Sequence, residues 1–502
     1  MKTYIPQISR RFFQIAFFLF ITISHAHSQT LGEAILYSSY DYVGTARMAG
    51  VGGTFGALGG DQGAIAINPA SLGTYYKSEF IISPMFFGSS SETDFENQTV
   101  GSNIAADITF FNMGLVIANK SSSRSKWKTS NFAISYNKLT DFERNIKFQG
   151  TSEGSIVQRF AERANGNDLN SLDPFEAGVA YDALALIGPL DGNTYETDIV
   201  DGQETMKSQT IRSDGGMSEL SLAWAGNYDD KIQLGFSLGI PFLNYSYNKT
   251  YSEMAIDEKS RFRALNYLEN LTTSGSGINF KAGIIAMPVP NLRIGASIAS
   301  PSNFSLDDEY STALIYQYID NQGQSQQGSS ESPEGFFSYD FNNPWRSTGS
   351  IAYLVKTGEV RGFVSAEIDY LGYTNSSYDL TTESDNPGDF LLQEDLNNQI
   401  NTQLKNAVNF RAGGELAYDI YRMRAGFQLN GSPYYEDAGR YFSGFSLGAG
   451  LRFDKFFFDV AYKNNANQQG YLPFVTKDES SLQLVELTTR NVYIASTLGY
   501  MF

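Results

Sequence analysis

Apolar and polar residues alternate with a period of two along most of this chain. The alternation falls into fourteen runs, at 77–88, 105–118, 129–148, 217–227, 230–251, 263–286, 291–306, 335–355, 359–374, 404–419, 420–431, 441–453, 455–464 and 488–502. A period of two sends successive side chains to opposite faces of a strand. The last run shows it plainly: Val492, Ile494, Leu498, Tyr500 and Phe502 share one face, and Asn491, Tyr493, Ala495, Thr497 and Gly499 share the other. The first face suits lipid and the second a polar lumen.

The connections between runs alternate in length. Short ones lie near 121–128, 228–230, 288–290, 356–358, 419–420 and 454–455. Long polar ones lie near 89–104, 149–216, 252–262, 307–334, 375–403, 432–440 and 465–487. Tight turns at one end and extended loops at the other are the habit of a membrane-spanning barrel, and a soluble sandwich has no reason to sort its loops this way. No run of 18 apolar residues occurs beyond residue 28, so helical membrane spans are excluded. The pattern predicts an all-β fold, a transmembrane antiparallel β-barrel of about 14 strands over 77–502.

One stretch has neither period. Residues 44–75, GTARMAGVGGTFGALGGDQGAIAINPASLGTY, are rich in Gly and Ala and close on Asn68-Pro69-Ala70. Side chains this small cannot build a core, and glycine lets a backbone pass close to other surfaces. Such a segment needs walls from elsewhere, which predicts that 29–76 plugs the barrel lumen. Asn68-Pro69 is a turn dipeptide, the Asn capping through its side chain and the Pro fixing φ. It reads equally as a simple turn into the first strand and as a latch against the wall.

Two long connections carry more than polarity. Within 156–190, Phe175, Val179, Ala183, Leu184 and Leu186 recur at helical spacing and predict a short amphipathic helix pair. Its apolar face is read either as a ligand-capture surface (Phe175, Val179, Leu184, Leu186) or as packing that caps the barrel. Residues 384–403 are helix-prone and mostly solvated, and 321–334 are low-complexity and expected to be mobile.

Composition narrows the chemistry. Lys2, Arg10 and Arg11, then an apolar stretch over 12–23 and Ala26-His27-Ser28, form a signal peptide over 1–28 that ends before Gln29. Both histidines, His25 and His27, lie in it, and the chain has no cysteine. The mature chain thus lacks Ser-His-Asp and Cys-His machinery and zinc sites built on His or Cys. A formal charge of -18 makes a nucleic-acid partner unfavourable. Gly50-Val51-Gly52 opens like a dinucleotide fingerprint, but Phe55 stands where the third glycine belongs, and no Gly-Lys-Ser/Thr follows for a phosphate loop. Asp307-Asp308-Glu309 and the acids over 191–198 lack the spacing of a calcium loop and read as solvated charge. No metal site and no cofactor are expected.

The 44–75 segment with its Asn68-Pro69-Ala70 resembles the N-terminal hatch of the FadL/TodX family of outer-membrane hydrophobic-compound transporters. Similarity continues through 276–312, 343–355, 409–434 and 443–465. The resemblance implies a fourteen-stranded barrel with a hatch in its lumen. It also implies capture of a hydrophobic ligand between long outer loops, passage to an apolar internal pocket, and exit through a gap in the wall. Only Asn68, Pro69 and Ala70 carry over residue by residue. The function expected is passive uptake of hydrophobic small molecules, long-chain fatty acids or aromatic hydrocarbons. The protein is then a monomer in the outer membrane of a Gram-negative bacterium, in contact with its lipids and lipopolysaccharide, and not an enzyme. The alternative is a structural or adhesive barrel with surface-exposed acidic loops.

Overall fold

The computed structural model describes residues 29–502 apart from 42, 123, 201, 383–385 and 478–482. The signal peptide expected over 1–28 lies outside the described residues. Fourteen staves follow one another in chain order: β1 (Glu79–Phe95), β2 (Ala105–Ile117), β3 (Trp127–Asp141 and Arg144–Glu153), β4 (Glu204–Tyr228), β5 (Ile232–Ala255), β6 (Phe262–Val289) and β7 (Leu292–Ala299 and Asn303–Ile319), then β8 (Gly335–Asn342 and Arg346–Thr357), β9 (Val360–Leu371), β10 (Ala407–Tyr418), β11 (Tyr421–Gly431), β12 (Tyr441–Arg452), β13 (Phe456–Tyr471) and β14 (Val485–Met501). Each pairs antiparallel with its sequence neighbour. β14 returns to β1 from Glu79↔Met501 to Asp94↔Glu486, which closes the cylinder. Every run read from the alternation falls on one stave.

The two faces of β14 separate as the alternation requires. Ile494 and Leu498 are 51% and 53% exposed, whereas Tyr493, Ala495 and Thr497 are buried. Closure joins the two outer edges of the sheet, so backbone groups in the wall find partners without water except where β2 and β3 part. At the turn end the chain reverses tightly. Asp229 and Asp230 carry φ of 57° and 52°, the left-handed pair that matches the twist of a two-residue hairpin. Exposed rings gather at that end, among them Trp127, Tyr418, Tyr421, Phe456, Tyr500 and Phe502. This is the place of an interfacial aromatic girdle.

At the loop end the staves run further than the alternation does. β4 begins at Glu204, inside a connection read as loop, and the expectation of a mobile tract over 321–334 is overturned. Ser325–Glu331 is a strand, paired with β7 from Ile319↔Ser325 to Ala313↔Glu331. A strand wet on both faces has no reason to alternate, so its pairing is invisible to pattern. The helices predicted there do form: α3 (Ile156–Ala164), α4 (Ala177–Asp182) and α5 (Pro387–Gln403), after α1 (Leu31–Leu36) and α2 (Ala46–Gly50) near the N-terminus. β7 and β8 each break once, at Pro301 and Pro344, where no backbone N–H is available for the ladder. Ser302 N donates to Asn343 Oδ1 at 2.6 Å and Asn343 N to Ser302 O at 3.2 Å, which restores the pairing across the break.

Candidate functional site

Residues 43–73 are buried almost without exception, Arg47 and Gly60 being only partly covered. Their own side chains cannot achieve this; the wall does. α2, the turn Gln62–Ala66 and the turn Pro69–Thr74 press backbone against backbone on inward glycines of the staves. A methyl on Gly235 would overlap Pro69 and Ala70, one on Gly283 the Asn68 amide, one on Gly295 the Gly56 carbonyl, and one on Gly413 the Val51 carbonyl. The close approach therefore depends on glycine in the wall, and at Gly295 and Gly56 on glycine on both sides of the contact.

Hydrogen bonds tie the segment all round the circle. Asn68 caps the turn by accepting from Ala70 N at 3.0 Å. Its amide also donates to Gly56 O at 2.7 Å and to Ile284 O of β6 at 3.3 Å. On other staves, Ala46 N donates to Thr497 Oγ1 at 2.8 Å and Gly56 N to Glu367 Oε2 at 2.7 Å. Asn131 Nδ2 donates to the carbonyls of Leu72 and Tyr75 at 2.8 and 2.9 Å. Arg47 is held by Glu415 at 3.0 Å and by the Gly60 carbonyl at 3.0 Å. The wall supplies these partners from a buried ionic lattice: Arg424 bonds Glu415 at 2.6 Å and Asp459 at 2.7 Å, Arg411 pairs with Glu367 and Asp369, and Lys281 pairs with Glu219. Buried charges persist where each meets an opposite partner and further hydrogen bonds.

Towards the loop end the chain crosses the lumen as a bar. The Tyr40 hydroxyl accepts from Asn343 Nδ2 at 2.7 Å, and the Arg346 guanidinium lies 4.2 Å from its ring. Next to it, Asp41 accepts from Tyr493 OH at 2.7 Å and Asn465 Nδ2 at 3.1 Å, and its N–H donates to Leu139 O at 2.8 Å. α1 stands beyond this bar and packs Ala34 with Leu396 and Ile400 of α5. A cavity of about 650 Å³ remains between α1, α5 and the staves. Ile35, Leu36, Tyr245, Tyr247 and Leu271 give it apolar wall, and Glu33, Arg144, Arg159, Lys249 and Glu269 give it charge. The dry apolar pocket that the resemblance implies is thus an amphipathic chamber here. Burial first, and the charge of Asp308 second, hold the Glu33 carboxyl well above its ordinary value.

The predicted loop residues part company. Val179 and Leu186 are buried in the cluster that joins α3 and α4 to Tyr251, Tyr267 and Tyr316, and Phe175 is buried beside it. Phe175 also borders the chamber, its ring 4.6 Å from that of Tyr310. Leu184 is 52% exposed at φ 64°. Asn68, Pro69 and Ala70 do sit together against β5 and β6. Sequence reasoning missed the wall glycines and the ionic lattice. Their signal was there: glycines and charges at lumen-facing positions of strands.

The wall itself is incomplete. β2 and β3 pair only from Asn112↔Asn137 to Ile117↔Phe132, so Ala105–Phe110 of β2 pairs with β1 alone among the described residues. Towards the loop end, Thr93 Oγ1 donates to Lys147 O at 2.6 Å and brings β1 and β3 together again. Between these limits no ladder joins β2 and β3 among the described residues; Lys138 reaches Asp107 at 3.4 Å and Asn145 Nδ2 donates to Asn103 O at 3.4 Å across the gap, and Asp41 lies on its lumen side, its N–H donating to Leu139 O.

Two solved structures share this architecture. A FadL homologue of Pseudomonas aeruginosa is 12% identical, matched over 92% of this chain and 99% of its own, with a TM-score of 0.55. The P. putida toluene transporter TodX is 11% identical, matched over 92% and 99%, with a TM-score of 0.51. This is the FadL-type barrel fold. No family model matches the sequence, and no curated protein matches it. The FadL-type fold is therefore carried here by alternation, loop asymmetry and a small-residue lumen segment, with little identity elsewhere.

Proposed function

We propose that this barrel is an outer-membrane channel for passive uptake of hydrophobic small molecules, with 29–76 as its hatch. The observation that carries the reading is the lumen. A small-residue segment lies buried against the wall, and an amphipathic chamber lies on the loop side. An apolar solute gains by moving from water into a buried pocket at each stage, and a water-filled pore offers it no such gain. TodX is described as a toluene transporter, which agrees with this class of cargo. Tyrosines and aliphatics beside charges suit an amphiphile such as a long-chain fatty acid better than a plain aromatic hydrocarbon. In this reading Asn68, Pro69 and Ala70 latch the hatch to the wall. Phe175, Val179 and Leu186 hold the capture loop in shape, while Leu184 presents its apolar side chain to the incoming ligand. The leader over 1–28 directs export, and the exposed belt of the monomer meets lipid and lipopolysaccharide. The test is uptake of labelled oleate and labelled toluene by a deletion strain with and without the gene restored. Equal uptake of every apolar solute in both strains overturns the proposal in favour of a structural or adhesive barrel.

A further inference from the structure

Arginines gather where the lumen segment meets the turn end of the barrel. Arg47 bonds Glu415 and the Gly60 carbonyl, and Arg424 ties Glu415 to Asp459. Arg452 continues the chain, reaching Asp459 at 2.9 Å. From β7, Arg293 Nη1 donates to Leu58 O, close in the chain to the carbonyl that Arg47 holds. Arg422 shares the lumen face of β11 with Arg424, opposite Ala417 and Gly450. Arg293, Arg422 and Arg452 lie at the ends of their staves, next to tight turns. In a barrel of this kind those turns face the periplasm. Within 43–73, Arg47 and Gly60 are the residues left partly uncovered, so the lumen segment reaches water at this same notch.

The charges there do not balance. Among the described residues the five guanidiniums pair with two carboxylates, Glu415 and Asp459. Asp61 and Glu79 lie near, but they are bonded to Thr45 and Gly63 and to Tyr75, and neither forms an ion pair among the described residues. Even with both counted, five positive charges face four negative ones, in a chain whose total is -18. The ionisable groups that act on Arg293 are Arg47 and Tyr76, and no carboxylate is among them. Arg293 Nε and Arg424 Nη2 are buried with no hydrogen-bond acceptor, a costly state for a charged donor. The cations also stand nearer to water than the acids do: the side chains of Arg47 and Arg452 are 21% and 20% exposed, those of Glu415 and Asp459 only 7% and 0%. We propose that this notch binds an oxyanion, a carboxylate or phosphate group held by Arg47 of the lumen segment and by Arg293, Arg422 and Arg452 of the wall, and that the bound anion clamps the segment to the barrel. Guanidinium forks match both groups, each of which accepts several hydrogen bonds at once. The inference needs the fold alone and stands whether or not the barrel is a channel.

The experiment follows amide hydrogen exchange over 44–75 in the purified full-length protein while inorganic phosphate or octanoate is titrated in, with potassium chloride holding the ionic strength constant. A ligand that binds only the docked segment slows its exchange about ten-fold at about ten times the dissociation constant. Slowing by phosphate assigns the notch to free anions, and slowing by octanoate alone assigns it to the head group of a carboxylic amphiphile; either result bears the proposal out. Arg422→Gln, which leaves the pairs of Arg47 and Arg424 in place, should raise the dissociation constant about ten-fold, the worth of one charged hydrogen bond. Arg293→Gln with Arg422→Gln should abolish the slowing, each variant being compared with its own anion-free rate and checked for closure by heat-modifiable gel mobility. No slowing of the wild type by either anion overturns the proposal, as does equal slowing in the wild type and the double variant. Neither result touches the channel reading, which the uptake assay decides separately.

Discussion

Replacing Asn68 with Ala tests the hatch where its bonding is densest. The side chain is 1% exposed and serves three backbone groups: Gly56 O at 2.7 Å, Ile284 O at 3.3 Å and Ala70 N at 3.0 Å. Ile284 lies in the β6 ladder, opposite Leu234 and Ala296, and keeps strand partners after the change. Gly56 O and Ala70 N lose this partner in a dry place. Each buried group left unpaired costs about 1–3 kcal/mol, so the hatch loses about 2–6 kcal/mol of docking free energy. At about 1.4 kcal/mol per factor of ten, that raises the undocked population about 30-fold at the lower bound and about 20,000-fold at the upper. Amide hydrogen exchange over 44–75 reads this directly, and heat-modifiable gel mobility shows that the barrel still closes. Asn68→Ser can still accept from Ala70 N but cannot reach Gly56 O, and should recover about half of the loss. Exchange in Asn68→Ala within about two-fold of wild type would refute the reasoning. Full recovery by the serine variant would reduce Asn68 to a turn cap.

Gly283→Ala and Gly235→Ala should each displace the 68–70 turn, costing about 1–3 kcal/mol by overpacking. Gly349→Ala, which has open space for its methyl, should cost nothing measurable, and equal exchange rates in all three would contradict the close-packing account. Arg47→Ala should weaken docking by about 1–3 kcal/mol, because Glu415 and the Gly60 carbonyl lose their shared donor. Protease nicking within 44–75 that matches wild type would show that the pair is idle. For Glu33, a carboxyl whose folded pKa is raised binds its proton more tightly in the folded state. Docking of α1 is therefore strongest below its ordinary value of 4.5 and weakens as pH rises from there towards the raised value. Exchange protection of 31–37 should fall across that range in the wild type and stay flat in Glu33→Gln; a flat wild-type profile would refute it.

The sequence by itself determined the number of staves, which face of each turns outward, and which end carries the tight turns. These follow from local rules: side chains alternate on any strand, and tight hairpins need particular residues. It also marked 44–75 as a segment that cannot stand alone, because small side chains bury too little surface. Only the tertiary structure decided what those residues stand against. Gly235 and Gly283 look like weak points in strands until Ala70 and Asn68 arrive from more than 160 and 210 positions away. The same holds for Arg47 and Glu415, 368 residues apart, and for Lys138 and Asp107, which face each other because two staves fail to pair. Contacts between distant residues depend on how the cylinder closes and on what fills it. No local pattern of polarity encodes that.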